Sequence, residues 1–376
     1  MTAITDESPA KPSVAGSELA SRIPQAVTLR RWSQPPLLPS QRFSPDVDGS
    51  FKSIRAIIRA AAPVLSECPG AIVLASGPTF AEFVAAYHLH TLFGSPYALD
   101  YRDEWTECPF DFVGRGLTDR LWERRCLTHA TAVVFTTLSM QRHYLATFPR
   151  LQATKTVTIR NGWEDIAGSE APPEAQHAGT DRARMTLGFF GTLGEHFGFD
   201  EFACTLAKAL AMDPTLSAAV DVELFGSISS ENLDAIQAHD LSPNVHFLGQ
   251  LPHPLARARM TQCTALLLLN GPRVHRYIPG KTYDYIASRR PVLLYGAGGE
   301  LEAILRQQPG VIITQRGDAS GLAAALQNII SGAPLANLEH ARQESQEYAY
   351  SLHRSHRNQE WLTLFEALLN DRSRTC

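Results

Sequence analysis

The stretch TALLLLNGPRVHRYIPGKTYDYIASRRPVLLYG, residues 264–296, contains a strand, a loop, a helix and a second strand in that order. TALLLLN and RPVLLYG are short apolar runs bounded by Asn, Gly and Pro, with the length of buried strands. Between them Pro279 suits the first position of a helix, because its missing N–H would be unpaired there anyway. Such a unit brings two strands side by side in parallel, with the helix laid across the sheet.

The same alternation runs outward in both directions. Upstream, SIRAIIRAAAPVLSE has apolar positions at helical spacing from residue 53, and AIVLAS (71–76) reads as a buried strand. GPTFAEFVAAYHLHTLFG is a helix, PYALDY a strand and GLTDRLWERRCLTHA a helix; TAVVFTT, a helix from 138 and TVTIRNG continue the series. A second series begins with MTLGFFG (185–191) and passes through a helix at 198–211, VDVELFG, a helix from 230, NVHFLG and a helix at 254–262. After the opening stretch come a helix at 299–307, VIITQ and a final polar helix from about 338 to 370. The polar, proline-containing segment 164–182 separates the two series as a linker. Residues 1–52 read as tail and irregular structure, with AVTLRRW (26–32) as a short strand. The expected architecture is α/β: Rossmann-like, doubly wound domains at 53–165 and 183–335, facing each other across a cleft, with ligands at the carboxyl ends of the strands.

Composition narrows the classes. The 376 residues are 44% hydrophobic and 19% charged, an ordinary globular mixture with material for two cores. A formal charge of -4 gives no global sign of nucleic-acid binding. The six cysteines, at 68, 108, 126, 204, 263 and 376, lack metal-ligand spacing and fit free thiols in a reducing compartment. The N-terminus does not read as a secretory signal, and no apolar run approaches the roughly 18 residues of a membrane span. The expected location is cytoplasmic, with peripheral contact at the inner membrane face as an option.

In the opening stretch, the free N–H groups of the first helical turn and the helix dipole form an anion site after Pro279 and Gly280, with Lys281 as a point charge beside it. Asp284 follows one turn later on the same face, where a carboxylate can accept hydrogen bonds from a sugar diol. Two readings stand: a clamp for a nucleotide sugar, or a proline-capped surface helix with one ion pair between Lys281 and Asp284.

Five segments, in order, resemble the retaining glycosyltransferases of family four, whose fold is GT-B. LDYRDEW (99–105) is similar to the RD-x-W signature of a bacterial branch associated with surface polysaccharides. IRNGW (159–163) resembles the turn that ends the first domain, and LGFFGTLG (187–194) the glycine turn that opens the second. VHFLGQLPH (245–253) is like the mid-domain strand and turn, and PGKTYDYIASRRPVLL (279–294) like the donor-binding helix. The resemblance covers about residues 53–370 and implies transfer of a sugar from a nucleoside diphosphate sugar to a glycan, lipid-linked or small-molecule hydroxyl acceptor. It implies that Gly191 and Thr192 lie against the donor diphosphate, the turn's backbone N–H groups approaching it. Arg276, Gly280 and Lys281 would complete the phosphate environment, Gly226 would sit near the base and Asp284 would hold the ribose. Asp103 and Arg102, which the resemblance implies are catalytic together with Lys281, would face the donor sugar or acceptor, with Asp100 and Trp105 on the acceptor side. The competing reading of Arg102–Asp103 is a local ion pair. The last helix, about 350–370, would return to the first domain.

There are departures. Many relatives have two Glu eight positions apart, where this chain has Arg276 and Asp284. Nothing in residues 1–52 matches the usual first strand and glycine-rich acceptor loop, so that loop is either rebuilt from PPLLPSQRFSPD or reduced. The implied mechanism is retaining and metal-independent, without cofactor or covalent intermediate, the leaving diphosphate helping to deprotonate the acceptor. Of the thirteen histidines, His196, His253 and His275 fall in loops near the expected cleft, none with the marks of a base. The alternative function is a non-catalytic GT-B protein that binds a nucleotide or a partner transferase.

GRGLTDRLWERRC (114–126) sets Arg115, Arg120, Arg124 and Arg125 around Leu117, Leu121 and Trp122. A basic amphipathic helix can lie on anionic lipid, but the interspersed Asp119 and Glu123 favour an ordinary helix with its leucines packed inside and its arginines in water. Trp361, Leu364, Phe365 and Leu368 form a stripe read as core packing.

Overall fold

The computed structural model describes residues 1–6, 27–32, 51–110, 113, 115–165 and 184–373. The expected linker beyond its first two residues, and the acceptor loop expected at 35–46, lie outside them. The chain divides into two compact units, Met1–Arg160 with Asn358–Cys376, and Asn161–Arg357.

In the first unit, β1 (Thr2–Asp6) and β2 (Thr28–Trp32) pair in parallel as a two-stranded sheet. Residues 2–6 are therefore a strand and not part of a tail. The run TAITD is rich in β-branched residues, and Ile4 packs against buried Ala61, Leu65 and Leu89. Then follow α1 (Phe51–Glu67), β3 (Val73–Gly77), α2 (Ala81–Phe93), β4 (Tyr97–Tyr101), α3 (Leu117–His129), β5 (Ala132–Phe135), α4 (Leu138–Thr147) and β6 (Thr156–Thr158). The strands β3 to β6 form one parallel sheet in chain order. Every residue of β4 and β5 is buried, as expected of a parallel strand covered on both faces.

The second unit contains β7 (Met185–Phe190), α5 (Phe199–Met212), α6 (Pro214–Ala219), β8 (Val220–Phe225), α7 (Ser230–Ala238), β9 (Val245–Gly249), α8 (His253–Gln262) and β10 (Ala265–Leu269). The series continues with α9 (Lys281–Ser288), β11 (Val292–Tyr295), α10 (Gly299–Leu305), β12 (Val311–Thr314), α11 (Ala319–Ile330), α12 (Ala333–His340) and α13 (Arg342–Ser351). The six strands are parallel in the order β12-β11-β10-β7-β8-β9. The winding reverses between β10 and β7, which makes the carboxyl ends of these two strands a topological switch point. The leucine run of β10 is explained by the pleat: Leu267 and Leu269 enter one core cluster, Leu266 and Leu268 the other.

The helix expected over 338–370 is broken into α12, α13 and α14 (Arg354–Ser373). The break before α14 has a local cause. His353 bridges in parallel to Trp163, and the Arg354 N–H donates to the Trp163 carbonyl at 2.8 Å, so backbone pairing takes over from the helix there. Residues from Asn358 onward join the first unit, where Leu368 packs against Ala98 and Ala132, with Leu364 and Phe365 beside it. The helix α11 was not anticipated. Among the described residues no helix is long and apolar enough to cross a membrane.

Candidate functional site

At the switch point and on the adjoining strand are two glycines in the left-handed region, Gly191 after β7 (φ 109°) and Gly226 after β8 (φ 125°). They lie against each other: a Cβ on Gly226 would stand 2.2 Å from the Gly191 carbonyl oxygen. Only glycine permits that approach. The Gly191 N–H donates to the Phe225 carbonyl and the Gly226 N–H to that of Gly249, both at 2.8 Å. The Gly191 N–H is thus engaged within the fold. Gly191 itself is exposed, and a Cβ there would stand in ordinary contact with Lys281, 3.5 Å from its Cε and its Nζ. Thr192 is exposed, its hydroxyl accepting from Ser227 at 3.1 Å.

Lys281 opens α9 and turns inward. Its stem is partly exposed, but Nζ has less than 1 Å² of accessible surface and no hydrogen-bond partner. The ammonium sits 3.5 Å from the centroid of the Phe189 ring and 5.1 Å from that of Phe197. Burial without a counter-charge pushes its pKa down to about 7. Asp284 faces α8 instead, with one oxygen 3.5 Å from His253 Nε2 and the other 3.9 Å from Arg257 Nε. The ion pair required by the surface-helix reading is therefore not formed. Gly280 is exposed and already helical (φ -53°, ψ -39°), and Arg276 is partly buried in the turn before α9.

Three supporting residues escaped the sequence reading. The Tyr285 hydroxyl accepts the Phe190 N–H at 2.8 Å and so ties α9 to the end of β7. Asn270, at the end of β10, donates to the carbonyls of Gly296 and Gly298, both at 2.9 Å, and fixes the loop after β11. The Tyr295 hydroxyl accepts the Gly317 N–H at 2.9 Å and lies 2.8 Å from the Thr205 hydroxyl. Polar atoms at the ends of buried strands are the available signal, since each must find a partner inside.

In the first unit, the ion pair at the RD-x-W segment runs from Arg102 Nε to Asp100 at 2.7 Å, not to Asp103. Burial raises the Asp100 pKa, while Arg102 and Ser76 draw it back. Asp103 is exposed; neighbouring protein, and then Glu104, push its carboxyl upward. Trp105 is wholly buried, stacked on Phe80 with ring centroids 5.1 Å apart. Its expected place on an acceptor wall is corrected: it belongs to the core. Beneath it lies Glu123, fully buried, accepting from the Tyr144 hydroxyl at 2.9 Å, the Tyr101 hydroxyl and the Thr106 N–H at 3.1 Å each, and the Thr106 hydroxyl. Burial raises its pKa to about 7 against these donors.

The placement on α3 is also reversed. Leu117 is 86% and Leu121 59% exposed, whereas Asp119 and Glu123 are buried. Asp119 accepts the Gly116 N–H at 3.0 Å and caps the helix. The helix presents its acids inward because both have designated donors there.

Residues 5–162 match the model of the glycosyl transferase 4-like domain. No curated protein matches the sequence. Among solved structures the chain resembles a sucrose-phosphate synthase from Thermosynechococcus elongatus, at 16% identity and a TM-score of 0.66, covering 98% of this chain and 99% of that one. It also resembles HepE from Anabaena in complex with UDP and glucose, at 15% identity and 0.65, covering 98% and 100%. A third is an α,α-trehalose-phosphate synthase (UDP-forming) from Burkholderia vietnamiensis, at 13% and 0.66, covering 88% and 80%. The likeness to a glycosyl transferase 4-like domain is thus confined to residues 5–162, and the chain as a whole has the GT-B fold.

Proposed function

We propose that this protein transfers a sugar from a nucleoside diphosphate sugar to a hydroxyl acceptor, and that the second unit holds the donor at its switch point. The observation that carries this reading is Lys281: a dry ammonium without a hydrogen-bond partner, packed beside the exposed Gly191. An anion there would supply the missing counter-charge. The donor diphosphate fits, with Gly191 and Thr192 on one side, Lys281, Gly280 and Arg276 on the other, and Gly226 toward the base. Asp284 would hold the ribose, sharing its carboxylate with His253 and Arg257. The structural neighbours solved with UDP and with UDP-glucose support a uridine nucleotide as the first donor to test.

On the first unit, Asp103 and Arg102 would meet the acceptor, Arg102 being held by Asp100. Retention, independence of metal and a place in surface-polysaccharide synthesis follow the resemblance of the RD-x-W and PGK segments. The chemistry asked of this chain's residues is positioning and stabilisation of charge on the leaving phosphate, for which Lys281 is the nearest formal charge.

The test is calorimetric titration with UDP-glucose, UDP and uridine, followed by a turnover assay across a panel of sugar nucleotides and acceptors. Tight binding of the diphosphates with weak binding of uridine is expected. Binding without any turnover would favour the non-catalytic reading, and no binding would refute the donor site.

A further inference from the structure

The outward face of α3 joins apolar and basic side chains on a protein whose formal charge is -4. Leu117 and Leu121, one turn apart, stand in solvent. Arg120, Arg124, Arg125 and Arg150 are exposed around them. Leu117, Leu121, Arg120, Arg124 and Arg150 line a groove of about 380 Å³ between this helix and the chain after α4. A second concavity on the flank adds Trp122, with the Arg125 guanidinium 4.9 Å from its ring centroid. Both acids of the helix are withdrawn from this face: Asp119 caps the amino end, and Glu123 is enclosed by Tyr101, Tyr144 and Thr106. Nearby, Glu107 engages Arg120 at 3.2 Å from the partly buried side. The alternation of charge in the sequence therefore does not survive folding.

We propose that the outward face of α3 docks the protein on an anionic lipid bilayer, with Leu117 and Leu121 entering the boundary between headgroups and acyl chains and the arginines lying among lipid phosphates. Two exposed leucines flanked by arginines match that surface, which is negative at the level of the headgroups and apolar just below. An acidic protein or a nucleic acid would satisfy the arginines but leave both leucines in water. This inference stands on α3 alone and is independent of the donor site.

The experiment is flotation of the full chain with vesicles of phosphatidylcholine, and of phosphatidylcholine mixed in equal parts with phosphatidylglycerol. Binding is expected to the mixed vesicles only, and to weaken in high salt. Arg124→Ala and Arg150→Ala should each lower the partition coefficient about fivefold, the effect of one basic residue at a charged membrane surface. Leu117→Ser combined with Leu121→Ser should lower it roughly tenfold or more, with the arginines still in place. All these side chains are exposed, so thermal unfolding of the variants should match wild type and separate docking from folding. Absence of binding to the mixed vesicles would overturn the proposal. So would vesicle binding that the leucine pair does not affect, or capture by a short oligonucleotide in place of vesicles.

Discussion

Substitution of Lys281 by methionine keeps an aliphatic stem against Phe189 and Phe197 and removes only the ammonium. If that ammonium receives the donor diphosphate, the variant loses one charge-assisted contact, about 1.5–3 kcal/mol or roughly ten- to a hundredfold in affinity. The free protein should respond in the opposite sense, because an unpaired buried cation is removed, and Lys281→Met should melt higher than wild type without ligand. Replacing a residue that only packs would leave nucleotide affinity unchanged.

The pH dependence follows from the depressed pKa of about 7. In the free folded protein the lysine loses its proton above that value, whereas the unfolded chain keeps it to the ordinary lysine range. The unfolded chain therefore binds more protons between these limits, and stability of the free protein should rise with pH there. A bound diphosphate restores the proton to the lysine. Affinity for a nucleotide sugar, whose diphosphate does not titrate in this range, should be full below about 7 and fall above it by up to about tenfold per pH unit, ~1.4 kcal/mol. Calorimetry near pH 8 in two buffers of different ionisation enthalpy should register close to one proton taken up per ligand bound. Equal affinity of wild type and Lys281→Met, with a flat pH profile and no proton uptake, would refute the placement of the diphosphate at Lys281.

Four further sites have definite expectations. Glu123→Leu leaves the Tyr101 and Tyr144 hydroxyls and the Thr106 N–H and hydroxyl without their acceptor, so thermal unfolding should show a loss of about 3–5 kcal/mol. Because burial raises the Glu123 pKa to about 7, its contribution is full below the unfolded carboxyl range and is lost as pH rises through 7, a slope that Glu123→Gln should flatten. Gly226→Ala forces a side chain onto the Gly191 carbonyl and should abolish nucleotide binding in titration while lowering the melting temperature. Asp103→Ala should leave nucleotide affinity nearly unchanged while kcat falls sharply, and normal turnover would remove Asp103 from the acceptor side. Asp284→Asn should weaken UDP but spare pyrophosphate, and equal losses for both would remove it from the ribose.

The alternation of strands and helices was legible because parallel strands buried on both faces are near-continuous apolar runs, as β5 and β10 are. Strand order was not legible, since the switch between β10 and β7 depends on which neighbours pair and not on any local pattern. Residues 2–6 were missed because a five-residue strand depends on its partner, β2, far along the chain. The broken final helix has a similar cause: the Trp163 carbonyl, remote in sequence, takes the Arg354 N–H. In the site, Gly191, Gly226 and Lys281 were identifiable by residue type, but the inward turn of Lys281 and the contact of Asp284 with His253 and Arg257 were not. On α3 the periodicity argument failed outright. A helical stripe of leucines usually faces the core, yet here the tyrosine and threonine donors around Glu123 claim the inner face, and the leucines are turned out.

The two acids of α3 and the lysine of α9 illustrate the same physical rule with opposite outcomes. Glu123 is buried with four donors, so its charge or its proton is accommodated within the fold, and it reads as part of the structure. Lys281 is buried with two aromatic rings and no acceptor, so its charge is left for something outside the chain to complete. Phe189 and Phe197 offer the cation a ring face, a weaker partner than the water it has lost. The site surrounding it is already built: Tyr285 fixes the end of β7, Asn270 holds the loop after β11, and Gly226 keeps Gly191 in its left-handed turn. A cation held dry in such a frame need not reorganise when negative charge develops on a leaving phosphate, which is the condition under which a single charge contributes most to a transfer reaction. Moving that charge therefore tests more than removing it. Lys281→Arg retains the cation but carries it beyond the present position of Nζ beside Gly191 and Phe189, so nucleotide binding should survive better than turnover. A variant that transfers as fast as wild type would show that the charge matters here only for holding the donor.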